Sequence, residues 1–216
     1  MGANWARASS GDYIDIHAEL HPYSRVLSFF ERLEQEFDVL KYCGGANAGG
    51  RRIFQIFSIE FIQQVAAHIN RALVSSSDIR PVLEVMSGDG RLTEFLKPNV
   101  NRRMVATDAR LGEYEIEYPK WVEKFDALDS VQRLNPSVVL LSWEPFFSTV
   151  GAEIVDTGTP TVWIGDRRNC AVHSDIFDRN FIKTENPYAL GRKDSFATRQ
   201  FETDVYLFNW TKQWQA

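Results

Sequence analysis

The sequence is poor in cysteine and contains no long apolar segment. Its two cysteines, Cys43 and Cys170, lie far apart, which excludes a disulfide framework and a CxxC metal motif. The longest mostly apolar uncharged stretch, residues 138–143, is far shorter than the roughly 20 residues of a membrane-spanning helix. Residues 1–15 contain no continuous apolar segment of the kind found in secretory signal peptides. We therefore expect a cytoplasmic protein that does not enter a membrane.

Basic residues are not in excess either. The 24 Lys and Arg residues are outnumbered by 29 Asp and Glu residues, so the net charge is −5. A domain that binds duplex nucleic acid is usually strongly basic, and nucleic acid is therefore not an expected partner. The four histidines are scattered without metal-ligand spacing, so no metal site is predicted.

The remaining composition is that of a folded globular protein. Of the 216 residues, 44% are hydrophobic and 25% are charged, close to the average for soluble domains. This length predicts one large domain, or one domain with an extension. Aromatic residues make up 13% of the chain. Composition alone leaves open whether they form a core or a binding surface.

The N-terminal third predicts two amphipathic helices after an irregular segment. Residues 1–22 show no sustained hydrophobic period, and we interpret them as an arm or loop that covers the functional site. The first helical stripe consists of Val26, Phe30, Leu33, Phe37 and Leu40. The glycine-rich residues 44–50 predict a flexible connection. The second helical stripe consists of Phe54, Phe57, Phe61, Ile62, Val65, Ile69 and Leu73.

Short apolar segments dominate the rest of the chain and predict strands. Four of them, at 82–86, 104–107, 138–141 and 161–164, are separated by helical or loop segments, including a predicted helix around Trp121. This alternation predicts a parallel sheet with crossover helices. The segments 181–183 and 205–208, with a polar loop between them, predict an antiparallel pair. The basic part of that loop, 192–199, is either a solvated hairpin loop or a surface for an acceptor.

The predicted fold is therefore α/β. It has a Rossmann-like, mainly parallel sheet with helices on both faces, a C-terminal antiparallel hairpin and an N-terminal helical extension. Residues 1–79 are expected to form the arm and helices that pack on the core, and residues 80–216 the sheet domain.

The segment 82–92, VLEVMSGDGRL, carries the strongest functional signal. Gly88 and Gly90 allow a sharp turn between strand and helix and the close approach of a ligand, although a plain tight turn has the same pattern. In an open parallel sheet, ligands bind beyond the carboxyl ends of the strands. Asp108 ends the next strand, where a carboxylate binds ribose hydroxyls; alternatively it caps the following helix.

Residues 84–90, EVMSGDG, resemble motif I of the class I S-adenosylmethionine (SAM)-dependent methyltransferases, E/D-x-G-x-G-x-G. The resemblance extends over roughly residues 80–210. It implies that Glu84 is the acid oriented toward the methionine end of SAM. Met86, Ser87, Gly88 and Gly90 then form the cofactor-binding turn. Met86 departs from the motif because the family often has glycine at that position.

The same resemblance assigns further residues to the site. Asp108 resembles the ribose-binding acid. Asp126 resembles the acid that meets the adenine amino group, with the Ala127 backbone N–H beside it. An alternative role for Asp126 is that of a helix N-cap.

The segment 142–145, SWEP, resembles motif IV, where the acceptor meets the methyl group. Ser142 is accordingly expected to contact the cofactor. Glu144 is the candidate base, and Trp143 offers an aromatic face that stabilises a sulfonium cation. The alternative for Glu144 is a structural carboxylate at a strand end.

The function predicted from these residues is SAM-dependent methyl transfer to a small-molecule or protein acceptor. The N/D-P-P-Y/F tetrad of amino-methylating nucleic-acid enzymes is absent from the sequence, in agreement with the acidic charge. Two alternatives stay open. One is a non-catalytic SAM-fold binding or scaffold protein. The other is a nucleotide-dependent oxidoreductase, although Thr93 stands where the G-x-G-x-x-G fingerprint requires a small residue.

Overall fold

The structure is a computed structural model that describes residues 12–73, 78–111, 116–171 and 175–211. Its helices are α1 (Tyr23–Glu36), α2 (Val39–Cys43), α3 (Ile59–Ala72), α4 (Arg91–Leu96), α5 (Ala127–Leu134) and α6 (Val150–Asp156). Its strands are β1 (Gln55–Ile56), β2 (Val82–Val85), β3 (Met104–Asp108), β4 (Glu123–Lys124), β5 (Val138–Ser142), β6 (Thr161–Gly165), β7 (Phe181–Lys183), β8 (Leu190–Gly191) and β9 (Asp204–Phe208). None of the helices in these ranges has the length and hydropathy needed to span a membrane.

The chain forms two compact units. The first combines the N-terminal residues up to Phe61 with the segment Tyr188–Thr203, and the second contains Ile62–Pro187 and the C-terminal segment from Asp204. This division differs from the expected one at residue 79, because most of α3 belongs to the sheet-bearing unit. It also differs because the loop between β7 and β9 belongs to the first unit.

The second unit is built on a seven-stranded sheet with the order β4-β3-β2-β5-β6-β9-β7. The first five strands in this order are parallel to one another. Strand β9 is antiparallel to both β6 and β7. The mainly parallel α/β sheet and the C-terminal antiparallel hairpin are therefore confirmed. The chain reverses its direction of travel along the sheet between β2 and β5, which is the switch point where ligands bind in open α/β sheets.

The central strands are apolar at consecutive positions because both faces of the sheet are buried. Val82 and Leu83 are both 0% exposed although their side chains point to opposite faces. On one face, the buried side chains of β2, β5 and β6 form a single cluster with Val131 of α5 and Ile154 of α6. Trp163 of β6 belongs to this cluster and is fully buried.

The first unit has a separate core that is rich in aromatic side chains. It contains Tyr13 and Ile16, side chains of α1 and α2, and Leu190 and Phe196 from the distant segment. The Tyr42 hydroxyl donates to the Ile14 carbonyl at 2.8 Å and accepts from the Ile16 amide at 3.0 Å. Residues 12–22 thus have no helix or extended strand but are anchored in this core. Residues 1–11 of the predicted arm lie outside the described residues.

The basic segment 192–199 also belongs to the first unit. The Arg192 guanidinium lies 3.8 Å from the centre of the Phe54 ring, and Arg199 forms an ion pair with Glu31 at 2.8 Å. Phe196 is fully buried and stacks on Phe30. Phe196 therefore packs the segment against α1, whereas Lys193 and residues 197–199 are exposed, so the loop is solvated only in part.

Three predicted helical segments differ from the structure. The first helix ends at Glu36, because Phe37 is extended with φ −152°. Asp38 then starts α2 as its N-cap, its side chain accepting from the Lys41 amide. Phe37 and Leu40 are accordingly exposed and do not continue the buried stripe. A hydrophobic period alone cannot detect such a break, since it is decided by the capping side chain.

The second helix begins later than the stripe suggests, at Ile59. Ser58 lies at its start and accepts from the Phe61 amide at 3.2 Å. Phe54 and Phe57 precede the helix, on either side of β1. The helix predicted around Trp121 does not form. Trp121 lies in a turn before β4, and β4 pairs with β3 as the edge strand of the sheet.

The glycine-rich connection 44–50 is organised by a buried side chain, that of Asn47. Its Nδ2 donates to the carbonyls of Tyr42 and Arg51. Its Oδ1 accepts from the amides of Gly49 and Arg51. One amide group therefore satisfies four backbone groups, which makes this connection an ordered turn.

We predict that Asn47→Ala lowers the free energy of unfolding by about 2–3 kcal/mol, because buried backbone groups lose their partners. Asn70→Ala is the control. Asn70 makes two exposed hydrogen bonds in the second unit, and its loss is expected to cost about 1 kcal/mol or less. Urea denaturation of both variants measures the difference; equal losses would contradict the role given to Asn47.

Candidate cofactor site

Strands β2, β3 and β5 end at the same edge of the sheet, and the backbone there is strained. Met86 follows β2 with φ 52°, Arg110 follows β3 with φ 56°, and Trp143 follows β5 with φ 56°. Side chains in this left-handed region cost about 1–3 kcal/mol each and are concentrated at functional sites. Met86 therefore has the backbone conformation that glycine adopts freely, although its side chain differs from the glycine of the motif.

The glycine turn after β2 is held against the end of β3. The Ser87 amide donates to the Thr107 carbonyl at 3.1 Å. The Gly88 amide donates to Asp108 Oδ2 at 2.9 Å. Gly88 and Gly90 have φ values of 55° and 72°, so the turn depends on glycine at both positions. The structure thus brings together the turn and the predicted ribose-binding acid.

Asp108 is surrounded by hydrogen-bond donors. In addition to Gly88, the Arg110 amide donates to Asp108 Oδ1 at 2.7 Å. The half-buried Tyr118 lies near the same carboxylate. Burial and the charge of Asp108 raise the pKa of Tyr118 to about 12. The Gly88 and Arg110 amides use two of the roughly four acceptor positions of the Asp108 carboxylate.

Two buried hydroxyl groups beside the turn lack protein partners. Neither Ser87 Oγ nor Thr107 Oγ1 has a hydrogen-bond partner among the described residues. Buried polar atoms are nearly always hydrogen-bonded in folded proteins. Their position next to Gly88 and Asp108 fits a site that a polar ligand completes.

A segment that sequence reasoning missed, 116–122, lies against the glycine turn. The Ile116 Cδ1 atom would be 3.7 Å from a Cβ atom placed on Gly88. A Cβ atom on Gly90 would collide with the Trp121 ring and lie 2.8 Å from Val122 Cγ2. Gly90 is thus required for close packing as well as for its φ angle. The sequence signal that could have identified this segment is the set of large side chains at 116–122, shortly after Asp108.

Glu84 lies beneath the turn and is almost fully buried. Its Oε2 accepts from the Thr93 amide at 2.9 Å and from the Thr93 hydroxyl at 2.5 Å. Burial, opposed by these hydrogen bonds, raises the pKa of Glu84 to about 8. Glu84 therefore connects β2 to α4, which is different from the ligand-facing role implied by the resemblance.

Asp126 and Ala127 lie at the start of α5. Asp126 is exposed and its Oδ1 accepts from the amides of Leu128 and Asp129 at 2.9 and 3.4 Å. These contacts are those of an N-cap, the alternative considered above. The Ala127 side chain is buried in the cluster under α5. Ser142 is the half-buried last residue of β5.

Glu144 points into the protein and is 1% exposed. Its Oε1 accepts from the Gly151 amide and the Ser148 hydroxyl, each at 2.7 Å. Its Oε2 accepts from Trp163 Nε1 at 3.1 Å. Burial raises the pKa of Glu144 above its ordinary value, although these three donors oppose the shift. The contacts are those of a structural carboxylate that joins the loop after β5 to α6 and β6.

The aromatic side chains after β5 have different environments. Trp143 is partly buried and packs against the sheet core. Phe146 and Phe147 are 41% and 76% exposed, with their rings in edge-to-face contact. The carboxyl edge of β5 therefore presents apolar surface.

Asp166, directly after β6, is a buried acid that the sequence analysis did not select. It is 2% exposed and accepts from the Arg168 amide at 2.9 Å and from Asn169 Nδ2. The signal that identified Asp108, an acid at the end of an apolar strand, applied equally here. No group of His, Cys, Asp and Glu within the described ranges is arranged to hold a metal ion.

No protein-family profile and no curated protein matches the sequence. Three solved structures are distantly similar. A candidate SAM-dependent methyltransferase from Streptococcus mutans has a TM-score of 0.37 and 11% identity, covering 67% of this chain and 47% of that protein. A second candidate methyltransferase, bound to S-adenosylhomocysteine (SAH), has a TM-score of 0.39 and 10% identity, covering 70% and 49%.

The third is the CurJ carbon methyltransferase, with a TM-score of 0.39 and 10% identity, covering 88% of this chain and 71% of that protein. The chain spans about half the length of the first two proteins. These likenesses are too distant to establish a function for the chain.

We predict that Glu84→Gln reduces the pH dependence of stability. Between an unfolded pKa near 4.5 and a folded pKa near 8, the folded state binds the extra proton. The free energy of unfolding therefore falls as pH rises through this window, by up to about 3–4 kcal/mol for this group. Urea denaturation at pH 5 and pH 8.5 should show a smaller fall for Glu84→Gln than for the wild type. The exposed Glu94→Gln is the control, and equal falls in all three proteins would contradict the assignment.

We further predict that Glu144→Ala lowers the free energy of unfolding by about 3 kcal/mol, because three donors lose their acceptor. The matched control is Glu153→Ala on α6, which removes one exposed contact with Thr149. It should cost well under about 1 kcal/mol. If the Glu144 variant were as stable as the wild type by urea denaturation, the structural role would be wrong.

Proposed function

We propose that this protein is a SAM-dependent methyltransferase whose sheet-bearing unit binds the cofactor at the carboxyl ends of β2 and β3. One observation carries the proposal: the chain's own side chains already occupy the amides at the start of α4. These amides are not available to bind a phosphate group, so we expect the cofactor beside this turn to be one that does not depend on them.

In dinucleotide-binding folds, the pyrophosphate lies on the free amides at the start of the helix after the glycine turn. Here the Arg91 amide donates to Asp89 Oδ1 at 3.1 Å. The Thr93 amide donates to the buried Glu84. The Asp89 carboxylate would also repel a pyrophosphate. These contacts argue against a nucleotide-dependent oxidoreductase, as does the antiparallel β9 inserted in the sheet.

The residues around the turn fit the nucleoside part of SAM. Asp108 retains acceptor capacity for a ribose hydroxyl, and the buried hydroxyls of Ser87 and Thr107 offer unused hydrogen-bonding groups. The left-handed turn at Met86 and Gly88 exposes backbone to a ligand. SAM supplies an electrophilic methyl group on a cationic sulfonium. The acidic side chains around the turn favour a cation over an anionic cofactor.

The acceptor side of the proposed site lies after β5. Trp143 stays a proposed contact residue there, and we add Phe146, because both lie at the carboxyl edge and retain exposed surface. The buried Glu144 positions this loop, and we do not propose it as the base. The net charge of −5 favours a small-molecule or protein acceptor over nucleic acid. The absence of the N/D-P-P-Y/F tetrad from the sequence favours the same acceptors. A cytoplasmic location also stays a proposal.

A second candidate is a SAM-fold protein that binds the cofactor without turnover. The observation that favours it is the structural use of Glu144, which removes the candidate base at the end of β5. Both candidates predict SAH binding by isothermal titration calorimetry. Only the enzyme transfers the methyl group in an acceptor screen with labelled SAM. Binding of NADH, seen as enhanced fluorescence, in place of SAH would overturn both.

We predict that Asp108→Asn weakens SAH binding at least tenfold, because a charge-assisted hydrogen bond to the ribose is lost. The amide oxygen of Asn keeps one acceptor for the turn. Isothermal titration calorimetry measures the change, and Asp129→Asn on the exposed side of α5 is the control. Unchanged affinity in the Asp108 variant would refute its role in the site.

A further inference from the structure

One end of the sheet is formed by β7, whose outer edge points away from the other strands. Within the described residues, β7 pairs with β9 and is the last strand of the sheet. Just after β7, the Thr184 amide donates to the Val205 carbonyl at 3.0 Å. In an antiparallel pair, residues that bond to the neighbouring strand alternate with residues whose backbone groups point away from it. The amides and carbonyls of Phe181 and Lys183 therefore point toward the outer edge.

The side chains of these two residues are exposed but held in place. Phe181 is 36% exposed, and its ring packs edge-to-face on Phe177 and Tyr206, with centroid distances of 5.6 and 5.5 Å. The Lys183 side chain is 56% exposed, and its Nζ lies 2.6 Å from Asp204 Oδ2. An exposed edge strand with an apolar side chain is a template for pairing with another strand.

The sequence around β7 is complementary to its own reverse. In a two-fold antiparallel pairing centred on Ile182, Phe181 of each copy lies opposite Lys183 of the other. These residues have outward-facing amides and carbonyls, so they can form hydrogen-bonded pairs. The lysine stem and ammonium group then pack on an aromatic ring. Arg179 of each copy lies opposite Glu185 of the other, which pairs opposite charges.

Charge also selects this register over the two neighbouring registers that use the same outward-facing groups. A pairing centred on Phe181 places Arg179 of one copy opposite Lys183 of the other. A pairing centred on Lys183 places two lysines opposite each other. Like charges that lie directly opposite destabilise a strand pair. The pairing centred on Ile182 is therefore favoured, and this self-complementarity identifies a second copy of the chain as the strand that fits the edge.

We propose that the outer edge of β7 is an interface between two copies of this chain. The two β7 strands pair antiparallel about a two-fold axis at Ile182, which joins the two sheets into one. Such an interface uses the same surface on both copies and closes after two subunits. Because strands of this length bury little area, we expect a weak dimer that dissociates in the micromolar range. The proposal is independent of the cofactor.

Sedimentation velocity at low to high micromolar concentrations tests the proposal, and we expect the wild type to shift from monomer to dimer. Lys183→Pro removes an amide that faces the second copy but is not used to bond β9. We expect it to raise the dissociation constant at least about tenfold. The matched control is Lys124→Pro at the other end of the sheet. There the Phe125 amide donates to the Asp108 carbonyl, so the Lys124 amide faces outward, and this variant should dimerise like the wild type.

Glu185→Lys tests the register, because it places a positive charge opposite Arg179. Since Arg179 already pairs with Asp156 at 2.7 Å, we expect a smaller effect, a dissociation constant about threefold higher or more. The control is Glu94→Lys on α4, which has the same change of charge and should leave the dimer unchanged.

The proposal is wrong if the wild type stays monomeric over the whole concentration range. It is also wrong if folded Lys183→Pro dimerises as strongly as the wild type. Circular dichroism establishes that each variant is folded. If Lys183→Pro does not fold, Glu185→Lys decides the question, and a dissociation constant equal to that of Glu94→Lys overturns the proposal.

Discussion

A carboxyl group removed from water must be given hydrogen-bond donors, and this requirement shapes the functional edge of the sheet. Glu84, Glu144 and Asp166 are each at most 2% exposed. Each accepts from a backbone amide of the helix or turn that follows its strand. These acids hold the strand ends to the connections after them. Asp108 does the same for the Gly88 amide but stays half-buried, and it is therefore the acid available to a ligand.

The same contacts limit the chemistry that the site can perform. Because Glu84 and Asp89 occupy amides at the start of α4, the anion site of a dinucleotide-binding fold is already filled from within the chain. Because Glu144 receives three donors, its lone pairs are used to build the loop after β5. What remains at the edge is the half-buried Asp108 and an aromatic surface. These are the groups that we propose for the nucleoside of a cofactor whose reacting group is cationic.

Several elements were predictable because their causes are local. The consecutive apolar residues of β2, β3, β5 and β6 reflect burial on both sheet faces, and the sequence shows them directly. The pairing of Gly88 with Asp108 was predictable because parallel strands end at one edge. The end of α1 at Glu36 was not, because the capping of α2 by Asp38 competes with a continuous hydrophobic period. The absence of a helix at Trp121 depends on the pairing of the following strand, β4, with β3 at the edge of the sheet.

The sequence by itself determined the longer strands, the glycine turn and the acid that follows the next strand, since each depends on residues close together in the chain. Only the tertiary structure decided which acids face inward. Glu84, Asp126 and Glu144 match the motif pattern equally well, but their roles depend on donors that folding brings to them. Ile116 and Trp121 came to lie against the glycine turn in the same way. A side chain's partners follow from its burial and neighbours in space, and sequence spacing contains neither.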